Sequence, residues 1–252
     1  MNKRGQMAIF IIVALVIIGI ILAVYYYPRI SPVITTEAQP MQYLQDCISP
    51  QATSTIELLA QQGGDENPTG FITYNGTKVK YLCYSSEYYK TCVIQQPLLM
   101  SHFSDEVSRI LTPKLNSCAQ TMKDYYTSRG YSITMGEIKS TVTLAPGKVR
   151  IIYSTPMTLT KNDVTRKFDK FDVEINSQIY DLLSIATSVV DYEATYGDSE
   201  TTTYMQYYPN LRIDKIKLED GVKIYKLTDV TTEDSFTFAT RSLVWPPGYG
   251  LI

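Results

Sequence analysis

The chain has one histidine, one tryptophan and few charges, and these scarcities limit what its 252 residues can do. With His102 alone, any serine–histidine or cysteine–histidine mechanism would depend on that residue. It lies in Met-Ser-His-Phe-Ser at a predicted helix entry, where a surface or capping role is the commoner one. The sequence lacks Gly-x-Ser-x-Gly, His-Glu-x-x-His, a phosphate-binding glycine loop and a dinucleotide glycine signature. It also lacks Cys-x-x-Cys, which argues against a zinc site. Charged residues make up 19% of the chain and form no basic stripe, so nucleic acid is not an expected partner. Asp65-Glu66-Asn67, Glu219-Asp220 and Glu233-Asp234 lack the alternating oxygen spacing of a calcium loop, and they read as solvated turns. No metal or cofactor is expected. Paired carboxylates for glycoside hydrolysis stay open, because their separation is a property of the fold.

Polarity is missing altogether from Met7 to Val24, 18 consecutive residues with no charge and no hydrogen-bonding side chain. With Tyr25, Tyr26 and Tyr27 the stretch would span about 31 Å as a helix, which matches a bilayer core. The tyrosines fall where hydroxyls can sit among headgroups, and Pro28 stops the helix. A cleaved secretory signal would need small residues after the apolar run, and Tyr-Tyr-Tyr-Pro supplies none. Lys3 and Arg4 are the only charges before the span, so the N-terminus is expected in the cytoplasm and the rest outside it. Residues 1–27 therefore read as a single-pass anchor in the cell membrane, with the lipid bilayer as its first partner.

Lys3-Arg4-Gly5-Gln6 directly before an apolar helix resembles the prepilin-type signal of archaeal type IV pilin-like surface proteins. The resemblance implies a cut on the cytoplasmic side, with Arg4 and Gly5 before it and Gln6 opening the mature chain. Many pilins carry a glutamate five residues into that chain; Phe10 stands there instead, which argues against polymerisation. The resemblance extends more loosely to Asp46-Cys47 and Asn116-Ser117-Cys118, as in archaeal membrane-anchored proteins with a cysteine-containing ectodomain.

Residues 28–40 hold three prolines and no apolar period, and they read as a semi-rigid stalk. Residues 41–252 read as an α+β domain, with a sub-boundary near 195–210 left open. Met41, Leu44, Ile48, Ala52, Ile56 and Leu59 predict a first helix, which Pro50 would kink or split. A second is predicted from about Ser104, its cap, to Ser128, with Pro113 in its middle. Asn75-Gly76 marks a hairpin between 71–74 and 78–84. From Tyr131 the period becomes two, predicting an antiparallel meander of strands at 131–144, 148–159 and 165–176. A helix from Ile179 to about Tyr192, a polar loop at 197–203 and strands at 211–218, 222–228 and 235–243 complete the reading.

Cys47, Cys83, Cys92 and Cys118 make an even set outside a membrane, the pattern of structural disulfides. Of the three pairings, Cys83–Cys92, closing a short loop, and Cys47–Cys118, tying the two helices, are favoured. Asn75-Gly76-Thr77 is a glycosylation sequon on an exposed turn. Tyrosines gather at 81, 84, 88 and 89, at 125 and 126, and at 204, 207 and 208, either as interface residues or as core lining with hydroxyls reaching water. The tail Trp245–Ile252 is expected to fold back on the domain. The leading functional reading is a non-enzymatic, membrane-anchored surface protein for adhesion or envelope assembly, meeting copies of itself or another surface protein. The alternatives are a pilin-like subunit processed after Gly5 and a membrane-tethered carboxylate hydrolase.

Overall fold

A computed structural model describes residues 39–244, together with Val16. The predicted span apart from Val16, the Arg4-Gly5-Gln6 signal, the stalk as far as residue 38 and the Trp245–Ile252 tail lie outside the described residues. Among the described residues no helix is long and apolar enough to cross a membrane. Residues 40–244 form one compact α+β unit.

Helix α1 spans Pro40–Gln61 and buries Leu44, Ile48, Ala52, Ile56 and Leu59 of the predicted stripe, with Met41 half-buried at its start. Pro40 ends no stalk; it is the first helical residue, where a missing N–H matters least. The helix runs through Pro50 rather than splitting there. Pro50 is exposed, and so is Asp46, whose carbonyl loses its partner and can turn to water. Helix α2, Leu99–Thr127, treats Pro113 alike, with Arg109 exposed four residues before it. Ser104 is not its cap: α2 begins five residues earlier, and the Ser104 hydroxyl donates to the Met100 carbonyl within the helix. The buried positions Phe103, Val107, Leu111, Leu115 and Met122 face α1 and the core, and the two helices pack as a pair.

Six strands form the first sheet: β1 Phe71–Tyr74, β2 Thr77–Tyr88, β3 Val93–Ile94, β8 Leu211–Lys217, β9 Val222–Asp229 and β10 Ser235–Leu243. Their order is β1-β2-β10-β9-β8, with β3 on the far part of β2. The predicted hairpins hold: Asn75 and Gly76 at one turn and Asp220 and Gly221 at the other take positive φ, as tight turns matching strand twist demand. The pairing of β2 with β10 is parallel and joins residues about 160 apart, which no local pattern could announce.

The second sheet holds β4 Ser132–Met135, β5 Lys139–Ala145, β6 Lys148–Lys161 and β7 Val164–Asn176, all antiparallel. The strand predicted at 131–144 is two strands in tandem along one edge of β6. The break faces Pro156, which has no N–H to give, and the β6 register shifts between Ser154 and Met157 at the same place. Helix α3, Ile179–Tyr196, touches strands of both sheets and is apolar over a broad face from Leu182 to Val190. Residues 197–203 are not simply a polar loop: a short helix α4, Thr201–Tyr207, starts where the Glu200 carboxylate accepts from the Thr202 amide at 2.8 Å.

Candidate functional site

The four cysteines pair as Cys47–Cys118 and Cys83–Cys92, and none is free. The first bond joins α1 to α2 across 71 residues, with Cα atoms 6.1 Å apart. The second bridges nine residues and holds the approach to β3 against β2. Helical spacing places Cys47 beside the Ile48 stripe and Cys118 beside Leu115 and Met122, so the apolar seam that pairs the helices also brings the sulfurs together.

Asp65 lies just past the C-terminal turn of α1 and is no solvated turn. Its carboxylate accepts from Lys80 Nζ and lies 3.1 Å from His102 Nε2. Lys80, on β2 and nearly buried, donates a second bond to Gln96 Oε1 at 3.0 Å. Next along, Glu66 meets Arg109 at 3.0 Å, and Arg109 also binds Glu106, whose carboxyl that bond holds below its usual range. His102, on α2, is thus tied to the loop that follows α1, and that loop in turn to Lys80 on β2. Residues 65, 80, 96 and 102 carry no motif between them, and only the tertiary fold assembles them.

Beside this network lies a cleft of about 490 Å³ lined by Phe71, Lys80, Tyr81, Tyr84, Gln95 and Gln96. Phe71, Tyr81 and Tyr84 also line a second, shallower cleft of about 680 Å³, which Leu218, Glu219 and Arg241 bound on the far side. The three rings form a ridge between the clefts. Tyr81 and Tyr84 meet edge to face with centroids 5.1 Å apart, and Arg241 lies over Tyr84 while donating to the Ser85 carbonyl. Burial first, then the neighbouring Tyr84, raises the Tyr81 phenol, which stays a hydrogen-bond donor at neutral pH.

The other tyrosine clusters also face water more than core. Tyr126 is buried, but Tyr125 is exposed with the Arg129 guanidinium 3.6 Å above its ring, and Tyr207 is 77% exposed. Among the described residues the fully buried tyrosines are Tyr153 and Tyr225, neither of them in a cluster.

Tyr225 belongs to a buried ionic group at the end of α3. Glu193 has no exposure; it accepts from the Tyr225 hydroxyl, from Lys223 Nζ at 2.6 Å and from the Ser199 amide at 3.1 Å. Lys223 also donates to the Gly197 carbonyl at 2.5 Å, a cation at a helix C-terminus, where the helix dipole favours it. Burial alone would raise the Asp198 carboxyl, but Lys215, Lys223 and Lys217 outweigh it and hold it down at about 2. Burial, and then the Glu193 charge, push the Tyr225 phenol far above its ordinary range. Every charge in the group is met by an opposite one, so the group suits a structural clasp between α3 and β9 better than proton transfer.

Asn75 is exposed at the tip of the β1–β2 hairpin, where its side chain is open to modification. Glu219-Asp220 forms the turn into β9, and Asp234 accepts from the Gln178 amide at 2.6 Å, fixing the start of α3. Among the described residues no three histidine, cysteine, aspartate or glutamate side chains gather as a metal-binding group. Comparison with family models, curated proteins and solved structures finds no match to this chain.

Proposed function

We propose that the chain is a single-pass, membrane-anchored surface protein that presents its disulfide-bonded α+β domain outside the cytoplasm for adhesion or envelope assembly, acting by binding rather than catalysis. The observation that carries the reading is the pair of disulfides, Cys47–Cys118 and Cys83–Cys92, following an apolar run of 18 residues. Disulfides of this kind persist in oxidising compartments, and the apolar run with Lys3 and Arg4 before it orients the domain toward one. The exposed tyrosines support binding, because tyrosine offers large contact area at low entropic cost. The buried carboxylate of Glu193 and the half-exposed one of Asp198 are both neutralised by lysines, which favours a structural role for them.

One observation favours a second reading: Arg4-Gly5-Gln6 stands where a prepilin peptidase would cut, so a processed, pilin-like subunit competes with the permanent anchor. Membrane fractionation followed by N-terminal sequencing separates the cases. The anchored reading predicts recovery in the membrane fraction after an alkaline wash, with removal of the domain by protease added to intact cells. Gln6 at the N-terminus selects the processed form, and Met1 excludes it. Recovery of the chain in the soluble cytosol refutes both.

A further inference from the structure

We infer that the two clefts flanking Phe71, Tyr81 and Tyr84 form one binding site for an uncharged oligosaccharide. The inference deepens the adhesion reading and rests on it only for where such a ligand is met. Tyr84 and Phe71 are each more than a third exposed, even with Arg241 over the one ring and Lys78 over the other, so part of the apolar ring area still faces water on a ridge between two hollows. A sugar ring has an apolar C–H face that covers such a ring and a rim of hydroxyls that needs donors and acceptors at the side.

The rim chemistry is present. Gln95, Gln96 and Thr69 line the first cleft with two amides and a hydroxyl. Lys80 donates to Gln96 Oε1, which commits that oxygen and leaves the amide N–H pair for a ligand. Gln95 spends an N–H on the Val93 carbonyl at 2.8 Å, which leaves its oxygen as an acceptor. The Tyr81 hydroxyl stays protonated and can donate.

Charge decides the ligand class. Lys80 is paired with Asp65, and the second cleft is lined by one cation, Arg241, and two carboxylates, Glu219 and Asp220, with the Lys78 ammonium over the Phe71 ring. The site is close to neutral, which suits a polyol and disfavours a polyanion. The two hollows on either side of the ridge give room for more than one sugar unit.

The site is also held in shape. The Cys83–Cys92 bond fixes the segment leading to Gln95 and Gln96 against β2, and the Gln95 backbone N–H donates to the Leu82 carbonyl at 2.8 Å. The small disulfide thus positions the amide wall relative to the ring wall, which reduces the ordering cost of binding.

The test uses the full-length protein in a zwitterionic detergent without a sugar headgroup. Gluco-, manno-, galacto- and N-acetylglucosamine-based tetrasaccharides are titrated alongside polygalacturonate, with saturation-transfer NMR as the readout. The expected result is saturable binding of a neutral tetrasaccharide with a Kd of about 1 mM or tighter. Tyr84→Ala should weaken it about tenfold and Gln96→Ala about fivefold, while Tyr84→Phe, which keeps the ring, should bind nearly as the parent does. Tyr207→Ala, on a different surface, should leave binding unchanged. Unaltered thermal unfolding of Tyr84→Ala and Gln96→Ala shows that the loss is local. The inference is overturned if no neutral tetrasaccharide saturates, if polygalacturonate binds more tightly, or if Tyr84→Ala binds like the parent. It is equally overturned if the cleft captures a protein and no saccharide. Binding is measured on purified protein, so its failure leaves the anchor and compartment standing, and a cytosolic location leaves the binding result standing.

Discussion

Replacing Lys223 by methionine should be among the most damaging single changes in the domain. The side chain is 6% exposed and meets Glu193, Asp198 and the Gly197 carbonyl together. Methionine fills a similar volume, so packing changes little and the electrostatic loss is isolated. Glu193, fully buried, would keep the Tyr225 hydroxyl and the Ser199 amide but lose its counter-ion. Leaving one member of a buried ion pair uncompensated costs about 3–5 kcal/mol. For a domain of this size that corresponds to a fall in Tm of roughly 6–20 °C. Removing the whole polar group should hurt less than removing half of it. The triple variant Lys223→Met, Glu193→Leu, Tyr225→Phe leaves no buried charge or hydroxyl of the group without a partner. The Ser199 backbone N–H loses its acceptor, which costs about 1–3 kcal/mol, less than the uncompensated charge, so the triple variant should unfold nearer to the parent than Lys223→Met does. Thermal unfolding followed by circular dichroism, with both disulfides oxidised, measures each. A Lys223→Met loss below about 1 kcal/mol would refute the assignment of this group as a buried clasp, as would a triple variant less stable than the single one.

Opening Cys47–Cys118 by a double serine substitution should cost about 4 kcal/mol, and opening Cys83–Cys92 about 3 kcal/mol, from loop-closure entropy. Denaturant titration of the two variants gives the order, and a larger loss at the shorter loop would contradict the loop-entropy account. The Asp198 carboxyl is held at about 2, below its unperturbed 3.8, so its contribution is present above pH 4 and is lost as pH falls through about 2. The difference in stability between the parent and Asp198→Asn should therefore shrink over that window; a difference independent of pH would remove Asp198 from the clasp. Gly197 has φ +83 at the C-cap of α3, and a Cβ there would fall 2.7 Å from the Val244 Cβ. Gly197→Ala should cost at least about 1–2 kcal/mol from the backbone alone, read as a Tm shift, and an unchanged Tm would dispute the cap geometry.

Much of the fold was legible because it is written locally. Alternation in Lys148–Lys161 places Val149, Ile151, Tyr153 and Leu159 inward, and Asn75-Gly76 and Asp220-Gly221 can hardly be anything but tight turns. The cysteine pairing was legible for the same reason, since each favoured pair lay on predicted elements that could meet. What sequence patterns missed depends on partners far along the chain. Pro50 alone predicts a kink or a split, yet α1 runs through it, because tertiary packing holds the helix and the exposed side leaves the Asp46 carbonyl open to solvent. The β4–β5 break is set by Pro156 on another strand, and the helix at Thr201–Tyr207 by a single cap at Glu200. The clefts were harder still. Tyr81 and Tyr84 stood out as a cluster and Phe71 reaches them through the predicted β1–β2 hairpin, but Gln96 and Arg241 join them only through the Asp65–Lys80–Gln96 contacts and the parallel pairing of β2 with β10. His102 and Asp65, read singly as bland, are ordinary residues that the fold makes partners.

The claim that everything else rests on is an oxidised domain outside the cytoplasm, and the thiol state of the native protein tests it most directly. Cells are lysed into denaturant with a maleimide, and the intact mass is compared with that of a sample reduced first. The account predicts no added label before reduction and four labels after it, on Cys47, Cys83, Cys92 and Cys118. Labelled cysteines before reduction, in protein recovered from the cytosol, would contradict it.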